Sequence, residues 1–302
     1  MTGKPLISQK AKHAFCDFLF VVPALVLLIA FTYYPICKLV SISFTDWNLL
    51  NAEYKFVGLK NWKWLFAGTG AKYLWNSLKV TFLYSLGELF ITIVGGMLLA
   101  LLFNRMTWSF GVMRALVFMP KYVAMSSAAV VYLWLLNTDY GVVNYLLSLI
   151  GIAPVDWINQ KETALISVLM LTGWRVIGYG MMIYLANMMS ISRDYYEAAS
   201  LDGASSVQQF FRITLPLLSP TTLFLLVTTF LSSMKVFQSV DILTSGGPFR
   251  STEVFVYLIY SYAMVDFRMD RAATAAVMFF VILLLITVAT MKISNNKVTY
   301  DS

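Results

Sequence analysis

The sequence predicts an all-α membrane protein with six transmembrane helices. Three observations carry that expectation. Charged residues make up 12% of the 302 residues and hydrophobic ones 59%, whereas soluble domains carry roughly 25% charged residues. Mean hydropathy is +0.74, so lipid has to cover much of the surface. Six apolar runs also reach the length of about 20 residues that crosses a bilayer core. They are Phe15–Cys37, Leu78–Phe103, Val112–Leu136, Ala164–Met189, Leu217–Phe237 and Ala272–Met291.

The first run follows Lys4, Lys10 and Lys12, as a signal peptide would. It is too long for a signal-peptide core and ends without a small-x-small cleavage site, so it reads as an uncleaved first span. Cys16 and Cys37 lie at its two ends, too far apart along a straight helix to pair. Pro23, Pro35 and Pro120 sit in or beside the runs, which neighbouring helices can accommodate. The segment 38–77 carries Trp47, Tyr54, Trp62, Trp64, Tyr73 and Trp75. Such aromatics form an interfacial belt; a packed cap outside the membrane is the alternative. Phe255–Val265 is apolar but short and reads as a re-entrant or interfacial helix.

The net charge of +7 suits an anionic membrane face, and no basic stripe points to nucleic acid. His13 is the single histidine, so neither a histidine-based metal site nor a histidine triad is expected. Basic residues divide almost evenly between the two sides of the membrane. The N-terminal tail and the loop from Arg105 to Arg114 contain no acid. Asp139, Asp156, Glu162, Asp241, Glu253, Asp266 and Asp270 all fall on the other side. Both termini are therefore expected inside the cell.

The most structured polar connection is 192–216. Ser192 is placed to cap a helix, and Asp194 and Glu197 favour its first turns. Tyr195, Ala198, Ala199 and Asp202 share one face at helical spacing. Gly203 stands where a helix needs a left-handed residue to stop. Ser205-Ser206-Val207-Gln208 has the form of a capping box and opens a second helix. Val207, Phe210, Phe211 and Thr214 form its stripe, and Pro216 is expected to close it. By physics alone this is a pair of short helices along the membrane surface.

The order Glu197-Ala198-Ala199, three residues, Gly203, nine residues, then Ile213-x-Leu215-Pro216 resembles the EAA loop of ABC importer permeases. Asp202-Gly203-Ala204 and Pro220 extend the match. Leu243-Thr244-Ser245-Gly246-Gly247-Pro248 followed by Thr252 is similar to the Gly-Gly-Pro segment of carbohydrate permeases. Phe56-Val57-Gly58-Leu59-Lys60-Asn61-Trp62, Arg114-x-x-x-Phe118-x-Pro120, and Gly141-x-x-Asn144 with Trp157 agree further. The resemblance spans nearly the whole chain and points to the maltose/glycerol-3-phosphate branch of type I importers. Ser192 stands where many relatives have proline, which leaves the cap intact.

The resemblance implies a cytoplasmic EAA coupling-helix loop seated in a cleft of a cytosolic ATPase. Glu197 and Asp202 would be its acidic contacts, Ala198 and Ala199 its close-seating residues, and Gly203 its turn, with Ala204 beside it in the coupling loop. Leu215 and Pro216 complete the signature. It further implies a multi-pass protein of a bacterial or archaeal cytoplasmic membrane, contacting membrane lipids. A second homologous permease subunit, two cytosolic ABC ATPases and an extracytoplasmic solute-binding protein would accompany it. Gly68-x-Gly70-x-Lys72 has the wrong spacing for a phosphate-binding loop, so ATP and Mg²⁺ would be bound by the ATPases. The chain itself is expected to bind no cofactor or metal and to catalyse no reaction.

Ionisable groups inside spans are costly and mark functional positions. Glu88, Arg175, Lys121 and Lys235 are such groups, and Lys121 can also snorkel to a span end. Trp174 and Tyr179 flank Arg175, an arrangement suited to a sugar ring; helix packing through Gly173, Gly178 and Gly180 is the plainer reading. Ser232, Ser233 and Gln238 add hydrogen-bonding groups. A membrane-embedded glycan-handling enzyme would need convergent carboxylates or a metal set. The scattered, mostly basic groups here favour a solute pathway.

Overall fold

In a bilayer the backbone has to satisfy its own hydrogen bonds, and helices are the result. The computed structural model describes residues 6–51, 53–104 and 107–297. Lys4 and Arg105, used in the charge argument, lie outside the described residues, as do the side chains of Lys10, Lys12, His13, Cys16 and Lys297. Among the described residues only helices and one isolated bridge, Thr45 to Phe56, are found.

Helix α1 covers 6–42, with a π-helical turn at Ile29–Tyr33. The short α2 is Lys60–Ala67, and α3 is Gly70–Leu102 with a π-helical turn at Ile91–Gly95. Helix α4, Trp108–Phe118, runs into a 3₁₀ turn at Met119–Tyr122. Then come α5, Met125–Leu135, the short α6, Val142–Ser148, and α7, Ala164–Met188. The connection that follows holds α8, Arg193–Leu201, and α9, Ser206–Leu217. The chain ends with α10, Ser219–Ser233; α11, Gln238–Leu243; α12, Phe255–Val265; and α13, Met269–Lys297.

Four of these are long and apolar enough to cross a membrane singly: α1, α3, α7 and α13. The two other expected spans are bent. The run 112–136 was expected as one helix, but α4 and α5 meet at 103°. Val123 and Ala124 are extended there, one turn after Pro120. The second loop helix was expected to close at Pro216; it continues to Leu217 and bends by 60° at Leu218. Pro220 lacks the N–H that would carry the helix through. The fifth span also ends early, at Ser233 rather than Phe237. Ser232 and Ser233 donate to the carbonyls of Thr229 (2.9 Å) and Phe230 (2.8 Å), a pattern that loosens a helix.

Two apolar clusters mark the ends of α3. Near its start, Leu65, Leu74, Phe255, Leu258, Ala275 and Phe279 join α2, α3, α12 and α13. Near its end, Ala100, Phe103, Leu185, Met188, Leu218 and Leu225 join α3, α7 and α10. Between them α3 and α7 lie in backbone contact: a Cβ on Gly180 would stand 2.2 Å from the carbonyl oxygen of Thr92, so no larger residue fits.

The segment 38–77 is a packed cap rather than a belt alone. Asn61 is buried and donates to the carbonyls of Ser43 (3.1 Å) and Thr45 (2.7 Å). Trp64 packs edge-on against Tyr262, with the Arg271 guanidinium 4.1 Å from its ring. Trp75 alone keeps a belt-like exposure among the cap tryptophans. Two ion pairs lie at this end, Arg268–Asp270 (2.6 Å) and Arg250–Glu253 (2.9 Å). Burial raises the Glu253 carboxyl above its ordinary value, and Arg250 works against that rise. The Gly-Gly-Pro loop is tied by Thr252, which donates to the Gly247 carbonyl (2.7 Å) and meets Thr244 (2.8 Å). Asn144 and Trp157 are bonded to each other (2.9 Å) and hold the 137–157 connection.

Candidate functional sites: a mid-bundle cavity and an outer helix pair

Halfway along α3 and α7 the bundle encloses a cavity of about 560 Å³. It lies where three helices lose their regularity. These are the π-helical turn of α3, the break between α4 and α5, and the turn after α10. Irregular backbone at membrane depth is tolerated where it lines a cavity or finds other partners. Arg175 of α7 supplies such partners at the α4–α5 break. It donates to the carbonyls of Val123 (2.9 Å) and Lys121 (3.2 Å) and reaches Met125 Sδ (3.4 Å).

Of the residues singled out in the sequence, Glu88, Arg175, Tyr179, Ser232 and Gln238 line this cavity. Two do not. Trp174 is 41% exposed and packs on Tyr132 at 5.9 Å, on another side of α7. Ser233 is buried and turned to its own helix. Arg175 and Glu88 form no ion pair; Glu88 accepts a hydrogen bond from the buried Tyr84 hydroxyl one turn earlier. Lys121 is not snorkelling away: it lines the cavity with its ammonium 5.0 Å from the Tyr179 ring. Sequence reasoning missed Tyr84, Thr92, Thr172, Thr228, Thr229 and Ser239, polar residues that also line it. Their polar atoms sit in apolar helices at no spacing of their own, so only packing brings them together.

The second site is the pair α8 and α9. Ser192 caps α8 by accepting from the Asp194 N–H (3.3 Å). The C-terminus closes with Ala204 N–H to Ala199 (2.9 Å) and Gly203 N–H to Ser200 (3.1 Å), the Schellman arrangement. Gly203 has φ +80° and open space around it, so conformation rather than crowding requires glycine. The capping box forms as expected. Gln208 N–H meets Ser205 Oγ (3.4 Å), and Ser205 N–H meets Gln208 Oε1 (2.8 Å). Gln209 ties to Ser200 (2.9 Å), and Tyr196 to Thr214 (2.9 Å), fixing the pair to itself.

The faces differ from the simple stripe. Tyr195, Glu197, Ala198 and Asp202 are exposed, Ala199 and Ala204 half-buried, and the inner contact is Tyr196. In α9, Phe210 and Thr214 turn inward while Val207 and Phe211 turn outward. Leu215 and Pro216 are exposed at its end. Leu201 is 90% exposed at the tip. The pair thus presents three acids, Asp194, Glu197 and Asp202, outward together with Tyr195, Leu201, Val207, Phe211, Leu215 and Leu217.

Known proteins resemble this chain in sequence and in fold. Residues 92–300 match the family described as binding-protein-dependent transport system inner membrane component. The chain is 33% identical to the probable ABC transporter permease YurN of Bacillus subtilis, covering 91% of this chain and 94% of that one. It is 29% identical to the trehalose/maltose transport permease MalF of Thermococcus litoralis, covering 95% and 96%. In three dimensions it is similar to a chain of a bacterial ABC transporter involved in the import of the acidic polysaccharide alginate. The TM-score is 0.83 at 25% identity, over 98% of this chain and 100% of that one. A chain of a bacterial alginate ABC transporter in complex with an alginate pentasaccharide-bound periplasmic protein gives a TM-score of 0.80, also at 25% identity, over 95% of this chain and 96% of that one. This chain therefore belongs to the binding-protein-dependent inner membrane components, the multi-pass membrane permease subunits of ABC importers.

Proposed function

We propose that the chain carries a sugar-like solute into the cell through the mid-bundle cavity, in an assembly with a second homologous permease. Two cytosolic ATPases would hold α8 and the start of α9 in their clefts, with ATP and Mg²⁺ bound on the ATPases alone. A solute-binding protein would deliver the solute at the cap end, and both termini would be cytoplasmic. The observation that carries the reading is α8 and α9 themselves. They are rigidly capped at both ends of the turn, yet Tyr195, Leu201, Val207 and Phe211 lie exposed. Large apolar side chains kept in fixed outward positions beside Glu197 and Asp202 suit a protein cleft. The family's transport role and the relatives named above support the solute class.

The test is Gly203→Val in the assembled transporter. A β-branched residue is poorly accommodated at φ +80°, so α8 would be re-aimed while the spans still insert. ATP hydrolysis is expected to persist with transport reduced at least tenfold. Gly203→Asn, which tolerates the left-handed region, is expected to keep most transport. Normal transport in Gly203→Val would remove the coupling role from this loop.

A further inference from the structure

The charges around the cavity are unequal. Lys121, Arg175 and Lys235 line it, and Glu88 is the single carboxylate among its lining residues. Neither described ion pair involves any of them; both pairs lie at the cap end. Glu88 is already hydrogen-bonded by Tyr84. Arg175 spends its Nη donors on backbone carbonyls and Met125, so its charge has no carboxylate against it, and its buried Nε has no partner. With Glu88 ionised, three cations face one anion. Lys121 and Lys235 are exposed and Arg175 is half-buried, and ionisable groups at membrane depth face a partner or a water-filled path.

The hydroxyls point the same way. Thr92 and Ser239 are fully buried, line the cavity, and leave their Oγ atoms without a hydrogen-bond partner. Buried polar groups in native proteins are seldom left so. An oxygen-rich ligand would meet the excess positive charge, and would satisfy these shielded hydroxyls once a side-chain rotation turned them to the cavity.

Resting on the importer reading above, we infer that the cavity selects a solute bearing an anionic group, a carboxylate, sulfate or phosphate on a hydroxylated body. Lys121 and Lys235 are the selecting charges. Arg175 is the third, fixed by the backbone it holds. Tyr179, beneath the Lys121 ammonium, offers a ring face to the hydroxylated body.

The experiment is ATP-driven uptake by the complete transporter with its solute-binding protein, in vesicles of phosphatidylcholine alone, so that no anionic headgroup can occupy the cavity. The probes are matched sets: neutral glycans and polyols, each beside its uronate, sulfated and phosphorylated counterpart. The best-carried solutes are expected to be anionic. Lys121→Gln and Lys235→Gln are each expected to raise the KM of the best solute about tenfold, as loss of one partly desolvated charge contact would. They should move the KM of any neutral solute less than twofold. If the best-carried solute is neutral, or both glutamine variants keep the wild-type KM for an anionic one, the selectivity inference is overturned and the importer reading stands. If no solute in any set is taken up with ATP, the importer reading fails and takes this inference with it.

Discussion

At the cap end of α3, polar side chains turn inward; at the helix-pair end, apolar side chains turn outward. Asn61, Thr252 and Asp270 are all but buried at the cap, each with its partners inside the chain. Helix α8 buries no residue at all, and α9 buries only Thr214. The difference teaches where the chain is self-sufficient. The cap satisfies most of its own hydrogen bonds, the buried Trp62 Nε1 and Tyr262 hydroxyl being left without a partner, and resembles a small globular lid. The helix pair satisfies its backbone through caps but leaves its side chains to another surface. The same contrast appears in the response expected to mutation.

The largest effect is expected at the cap. Asn61→Ala removes two donors from buried carbonyls, at about 1–3 kcal/mol for each group left unsatisfied. The midpoint of thermal unfolding of the purified assembly should fall by several degrees, and yield should fall with it. An unchanged midpoint would break the comparison, because the cap would then not depend on its buried polar contacts.

A smaller and opposite response is expected at the helix pair. Leu201→Asp places a charge where the side chain is 90% exposed, and surface substitutions change stability by about 0.5 kcal/mol or less. Thermal stability of the isolated subunit should hold, while recovery of the ATPase on the affinity-tagged permease drops at least tenfold. Retained ATPase recovery would show that the exposed apolar face serves something else. The smallest effect is expected from Ser205→Ala, which removes one half of the capping box at about 1 kcal/mol. It should slow transport a few-fold by fraying the start of α9. Hydrogen exchange at Val207 and Gln208 would report the fraying directly.

The contrast also explains what could be read in advance. The helix pair was legible because its caps are local. Ser192, Gly203 and the Ser205–Gln208 box each work within a few residues, so their spacing alone carries the geometry. The spans were legible in number but not in shape. Hydropathy is continuous through Val123 and Ala124, and nothing in those two residues announces that Arg175, some fifty positions away, will take the carbonyls of Val123 and Lys121. The cap's tryptophans have the same composition whether they form a belt or a core. Which occurs is decided by Asn61 and Tyr262, whose partners are distant in sequence. The cavity was half legible for the same reason. Charged residues stood out against apolar helices, whereas Thr92 and Ser239 looked like ordinary helix hydroxyls until packing left them without partners. Trp174 shows the reverse error, since adjacency to Arg175 in sequence put it on a different face of α7.

Helix α1 carries a mechanical consequence. None of its most apolar stretch is buried, and it meets the rest of the chain chiefly through Tyr34–Ile42 against α13. Lipid tails attract it as well as another helix would, so little holds the remaining length in place. That length, 6–33, extends about 40 Å from its anchorage at 1.5 Å per residue. The π-helical turn Ile29–Tyr33 sits at the base of this unsupported arm. A tilt of roughly 5° there would carry the far tip through about 3 Å over such a length.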